Sequence, residues 1–153
     1  MKTLLAVVVT ALGLLGWRAY ADGCGAAAGA TCKSAAVPEA PTAAVATINP
    51  AGLAALLKAG TAVVVLDARS GKYDDGRRVP GAKSLTDKAT PEEAAKLIPA
   101  KDTLVVTYCA NLKCPASSRL ARHLHDLGYS NVVEMPEGID GWTAEGRTVD
   151  TVK

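Results

Sequence analysis

An α/β three-layer domain, with a five-stranded and mostly parallel sheet flanked by helices, is predicted for residues 45–153 by three features of the sequence. Strand and helix signals alternate along this part of the chain. The run Ala62–Leu66 is apolar without a break, as a strand covered on both faces must be, and TLVVTY at 103–108 reads as a second buried strand. Between the strands lie helix starts with recognisable caps.

Taken in order, Val45–Ile48 is a short strand. Asn49 as N-cap and Pro50 as first helical residue then open a helix whose Leu53, Leu56 and Leu57 share a face and which Gly60 closes. Ala62–Leu66 is the second strand, capped by Asp67, Ala68 and Arg69. The segment SGKYDDGRRVPGAKSL is rich in turn residues and ends in a weak strand at Ala82–Leu85. Thr90 and Glu93 form a capping box for a helix that ends before Pro99. The strand Thr103–Tyr108 delivers Cys109. Pro115 stands at a first helical position, and Leu120, Leu124 and Leu127 follow at helical spacing. Asn131–Met135 is the fifth strand, and Glu137–Trp142 turns into a last short helical or irregular segment.

The 153 residues suit one folded domain, and with 49% hydrophobic residues there is enough apolar surface for a sizeable core. Met1-Lys2-Thr3, the apolar stretch Leu4–Leu15 and Ala19-Tyr20-Ala21 have the three parts of a secretory signal, so residues 1–21 are expected to be removed. The apolar stretch is shorter than a bilayer span, so no stable membrane insertion is expected after cleavage. Residues 22–44 are Ala, Gly, Ser and Pro with few large side chains and read as a flexible tether. The expected location is therefore outside the cytoplasm, periplasmic or secreted. Losing Lys2 and Arg18 brings the formal charge of +2 to near zero, and no basic stripe with interleaved aromatics is present, which argues against nucleic acid.

The four cysteines form two local pairs, Cys24 with Cys32 and Cys109 with Cys114, and disulfides persist in an exported chain. Cys109 stands where a strand ends and a helix begins, at the carboxyl end of a sheet where α/β domains bind ligands. Unpartnered N–H groups and the positive end of the helix dipole favour a thiolate there, and so an attacking sulfur at neutral pH. The alternative is a structural disulfide. His123 and His125 lie two apart on different helix faces, which argues against a shared metal site, and both are expected to be solvated. Asp67 and Arg69 are expected to orient loops, Trp142 to pack in the core or wall the pocket, and Ser117 and Ser118 to cap the helix after the loop.

Leu66-Asp67-Ala68-Arg69, Tyr73, Gly76 to Ala82, Tyr108-Cys109, Leu127-Gly128-Tyr129, Val132-Val133 and Gly138-Ile139-Asp140-Gly141-Trp142 follow one another in an order that resembles a single-domain rhodanese, a sulfurtransferase. The resemblance covers residues 45–150. It implies a rhodanese-like parallel-sheet fold in which Cys109 takes a sulfane sulfur from a small anionic donor such as thiosulfate. Cys109 then holds the sulfur as a persulfide and passes it to a thiol or cyanide-like acceptor. The N–H groups of Ala110, Asn111, Leu112, Lys113 and Cys114 would cradle the persulfide, and the Lys113 charge would attract the donor. No metal or organic cofactor is implied.

Two features depart from the family pattern. The loop Cys109-Ala110-Asn111-Leu112-Lys113-Cys114 ends in a cysteine where many rhodaneses have an arginine, and Arg77-Arg78 replaces the usual histidine before the Pro-Gly-Ala segment. A thiol at position 114 could attack a persulfide on Cys109 and release sulfide, or lock Cys109 when oxidised. A phosphatase of the strand-loop-helix type would need an arginine where Pro115 stands. The competing reading from another class is a catalytically weak binding or thiol–disulfide redox module of the cell envelope.

Overall fold

The structure, a computed structural model, describes residues 44–152. The expected export signal, nearly all of the tether and the Cys24–Cys32 pair lie outside the described residues. Seven strands, β1 (Ala46–Thr47), β2 (Val63–Asp67), β3 (Arg77–Arg78), β4 (Lys83–Ser84), β5 (Leu104–Tyr108), β6 (Val132–Met135) and β7 (Asp150–Thr151), alternate with four α-helices among the described residues. The helices are α1 (Pro50–Lys58), α2 (Pro91–Leu97), α3 (Ala116–Asp126) and α4 (Gly138–Ala144), and a short 3-10 turn covers Gly71–Tyr73.

The main sheet has five strands in the order β1-β6-β5-β2-β4, every neighbouring pair parallel. Successive side chains of a strand point to opposite faces, so the unbroken apolar runs of β2 and β5 feed two cores at once. Leu66, Val105 and Val132 pack with Leu120, Ala121 and Leu124 on the α3 side. Val65, Val106 and Met135 pack with Leu53, Ile139 and Trp142 on the α1 and α4 side. Each large apolar side chain removed from water in this way contributes about 1.5–3 kcal/mol.

Local signals set the helix starts. The Asn49 side chain accepts from the Gly52 N–H at 2.7 Å, and Thr90 and Glu93 close a reciprocal capping box. At α3 the start differs from expectation. Pro115 is the N-cap rather than the first helical residue, and it offers no side-chain cap. Nor do Ser117 and Ser118 cap. Their hydroxyls donate to the Glu134 carboxylate, Ser117 at 2.7 Å and Ser118 at 2.8 and 2.9 Å. Glu134 shares the strand face of Val132, so its side chain must point at α3. Its negative charge lies against the positive end of that helix and satisfies the hydroxyls.

Two further differences come from contacts distant in sequence. His123 is only partly solvated: it is half-buried, and its Nε2 lies 2.8 Å from the Ala89 carbonyl and ties α3 to the segment before α2. A small antiparallel pair joins β3 to β7, matching Arg78 with Asp150. With two residues on each side it carries no hydrophobic pattern that a sequence could display.

Ser117 is 1% exposed and Glu134 8%. Ser117→Ala removes one donor from a nearly buried carboxylate and should cost about 1–3 kcal/mol, read as a lower urea midpoint at neutral pH.

Candidate functional site

β2 and β5 run side by side and end together, Asp67 opposite Tyr108, and the chain leaves each strand into the walls of one cleft. The Ala68 N–H donates to the Tyr108 carbonyl at 2.8 Å and extends the pairing one step beyond the sheet. Cys109, the first residue after β5, is 2% exposed at the base of this cleft of about 500 Å³. Arg69, Tyr73, Asp87, Lys113 and Arg119 stand around it.

Cys109 is joined to Cys114 by a disulfide, with the two Cα atoms 6.2 Å apart. Asn111 shapes the loop between them. Its carbonyl accepts from the Cys114 N–H at 2.9 Å, its side-chain oxygen from the Lys113 N–H at 3.1 Å, and its amide donates to Asp140 at 3.0 Å. Two of the five N–H groups expected to form a cradle are therefore used within the loop. Only those of Ala110, Asn111 and Leu112 have no acceptor among the described residues. Leu112, at the tip, is 74% exposed.

The root of the loop is held from below by α4. The Ile139 N–H donates to the Cys109 carbonyl at 2.9 Å and the Asp140 N–H to the Ala110 carbonyl at 3.0 Å. Only glycine fits before them. Gly138 has φ +63°, and a Cβ there would lie 2.5 Å from both of those carbonyl oxygens.

Asp67 and Arg69 face each other in the protein interior. The Arg69 Nε and Nη2 groups bond the Asp67 carboxylate at 2.9–3.2 Å, Nη1 bonds Asp75 at 2.8 Å, and Nη2 also donates to the Arg77 carbonyl. Asp67 meets a second cation, Arg78, at 3.3 Å. Burial works against the Arg69 charge, but the bonds and charges of Asp67 and Asp75 outweigh it and hold the guanidinium protonated. Burial, and then the Asp67 carboxylate, push the Tyr108 phenol up, so it stays neutral and accepts from the Val79 N–H at 3.2 Å.

Trp142 is 3% exposed and packs in the core, its indole N–H donating to the Thr148 carbonyl at 2.8 Å. It is not among the residues lining the cleft. Around the mouth, Arg119 is paired with Asp87 at 2.6 Å, whereas Lys113 is exposed and has no ion pair among the described residues. No group of three or more His, Cys, Asp or Glu side chains that could hold a metal is found among the described residues.

From the sequence no role is assigned to Asp75, Asp87 or Arg119, and Asp140 is named only within a longer motif. The alternation of Asp74-Asp75 with Arg77-Arg78 was the available signal for an ion-pair network. Nothing local marks Asp140 as the partner of Asn111.

A rhodanese-like domain model matches residues 49–145. The chain belongs to the rhodanese-like family. Among solved structures, a Bacillus halodurans protein is 25% identical and superposes with a TM-score of 0.63, over 69% of this chain and 77% of that one. A thiosulfate sulfurtransferase of Pseudomonas aeruginosa is 23% identical with a TM-score of 0.58, over 71% of this chain but only 21% of that one. A Rhodopseudomonas palustris protein of unknown function, described as a possible tyrosine phosphatase, is 24% identical with a TM-score of 0.58, over 69% and 85% of the two chains. No curated protein matches the chain. At these identities the two sub-25% likenesses speak for the rhodanese-like fold alone.

The acidic residues of the network set an acid limit. The Arg78 bond holds the Asp74 carboxyl below its usual range against partial burial. For Asp75, burial pushes up, but the bonds from Arg77 and Arg69 together hold the carboxyl well below that range. A depressed carboxylate stabilises the fold above the unfolded pKa and loses that contribution as pH falls through the folded value. The denaturation midpoint should therefore change little through these groups from about pH 7 to 5 and fall below about pH 4, less steeply in Asp75→Asn.

Gly138→Ala should lower the urea midpoint by the equivalent of more than about 1 kcal/mol. Gly146→Ala is the control, since its φ is +69° but nothing lies within 4 Å of a Cβ there. The difference between the two variants measures the clash with the loop carbonyls.

Proposed function

We propose that this rhodanese-like domain is a sulfurtransferase that carries a sulfane sulfur on Cys109 from a small anionic donor, thiosulfate or similar, to a thiol or cyanide-like acceptor. The observation that carries this reading is the placement of Cys109 at the base of the cleft, on the clamped root of a strand-to-helix loop, in a chain of this family.

In the reduced protein the Cys109 thiolate would attack the outer sulfur of thiosulfate. A new S–S bond forms on Cys109, the old S–S bond breaks, and sulfite leaves with its electron pair. The acceptor then attacks the outer sulfur of the persulfide, and the Cys109 thiolate departs and is regenerated. The unpartnered N–H groups of Ala110, Asn111 and Leu112 would steady the negative sulfur, and Lys113 would draw in the anionic donor. Arg69 is committed to Asp67 and Asp75, so its part is to hold the cleft wall rather than the donor. The chemistry calls for no cofactor. The signal-like residues 1–21 support a periplasmic or secreted site of action, on a tether of residues 22–44.

A second reading has its own observation. With Cys109 bonded to Cys114, no thiolate is present, and the domain would then act as a binding or thiol–disulfide redox module with little turnover. Phosphoryl transfer lacks support. The loop runs into Pro115, the N-cap of α3, and no arginine stands where the phosphoryl oxygens would need one.

Reduced Cys114→Ser, exposed in turn to thiosulfate and inorganic polysulfide and then desalted, should gain one sulfur atom by intact mass, and Cys109→Ser should gain none. Absence of the gain in the parent protein and in Cys114→Ser alike would overturn sulfur transfer in favour of the redox module.

A further inference from the structure

Cys114 has a place in the site that sulfur transfer to an outside acceptor does not use. The Cys109–Cys114 pair is brought together by the loop alone. The Asn111 carbonyl accepts from the Cys114 N–H, which closes a tight turn, and the Asn111 side chain accepts from Lys113 within that turn. The first residue of the pair cannot drift, because α4 holds the Cys109 and Ala110 carbonyls. Any sulfur loaded on Cys109 therefore lies within the reach of a second thiol that needs no conformational change to meet it.

Resting on the sulfur-transfer reading above, we propose that Cys114 is a built-in acceptor, which makes the domain a sulfide-releasing, dithiol-driven reductase of sulfane sulfur. With a persulfide on Cys109, the Cys114 thiolate attacks the Cys109 Sγ. The Cys109–Cys114 bond forms and the bond from Cys109 to the outer sulfur breaks. The outer sulfur leaves with that bond's electron pair as hydrosulfide. The sulfane sulfur is thus reduced by two electrons, and the two thiols are oxidised to the disulfide that the structure contains.

A dithiol, small or carried on a protein, resets the pair by exchange. The direction of that exchange follows from exposure. Cys109 is buried at the base of the cleft and Cys114 is only half-buried beside the exposed Lys113, so a reductant thiolate from solvent attacks the Cys114 sulfur. Cys109 is the leaving thiolate. The residue that must accept the next sulfur is the one freed first.

The test uses the full chain, reduced, freed of reductant, loaded with inorganic polysulfide and desalted with no thiol added. Sulfide and intact mass are followed in the parent protein, Cys114→Ser, Cys114→Ala and Cys109→Ser. The parent should release sulfide above the Cys114→Ser background and end two hydrogens lighter than its reduced form, with the new link mapped by peptide mass to Cys109 and Cys114. Both Cys114 variants should keep the extra sulfur on Cys109 and lose it at least about ten-fold more slowly. A parent protein that keeps its persulfide as long as Cys114→Ser, or a link that maps to Cys24 and Cys32, overturns the built-in acceptor and leaves sulfur transfer standing. Failure of Cys114→Ser and Cys114→Ala to take up sulfur removes both readings together.

Discussion

The contact on which the site depends is the seating of the α4 N-terminus under the Cys109 loop. A strand that ends in a loop leaves carbonyls without partners, and a helix that begins leaves N–H groups without partners. Here each set satisfies the other: Ile139 and Asp140 donate to Cys109 and Ala110. Glu137, at the N-cap position of α4, makes no side-chain capping bond, so the loop itself serves as the cap. This reciprocity requires the two backbones to approach so closely that position 138 must be a glycine. The loop owes its position to the helix, and the helix start owes its hydrogen bonding to the loop.

Electrostatics continue that hold sideways. A chain of charged contacts runs from Asp67 through Arg69, Asp75 and Arg77 to Asp140, whose carboxylate receives the Asn111 amide. Its inner end, Asp67 with Arg69, is shut away from water, and its outer end is exposed. A buried pair of this kind is weak support for overall stability but a strong constraint on geometry, since separating the partners strands a charge in the interior. Arg69 consequently acts as wall rather than as an anion receptor. Lys113 and Arg119 are left as the cations nearest the opening, with Arg119 already shared with Asp87.

What the sequence revealed divides by distance along the chain. Asn49 with Gly52, and Thr90 with Glu93, are bonds three residues apart, and the strand runs of β2 and β5 declare themselves by composition. The place of Cys109 at a strand end followed from the same local signals. Ser117 suits a cap by type and position, while its actual partner, Glu134, lies 17 residues away on a strand. The His123 contact with Ala89 spans 34 residues. The cradle holds fewer free N–H groups than the five the sequence suggests, because Asn111 folds its own loop back and consumes two of them. Partners brought together by the sheet order are fixed only once the sheet exists.

The disulfide closes a ring only five residue steps around. Cross-links stabilise a fold mainly by restricting the unfolded chain, and they do so more as the ring grows; a ring this small contributes only about 2 kcal/mol on that account. Two apolar cores and a five-stranded sheet do not hang on such a sum. Most of what holds the fold together therefore lies outside the ring. In the cycle proposed above the sulfur–sulfur link would be what the chemistry makes and breaks, while the architecture is carried by the packing around it.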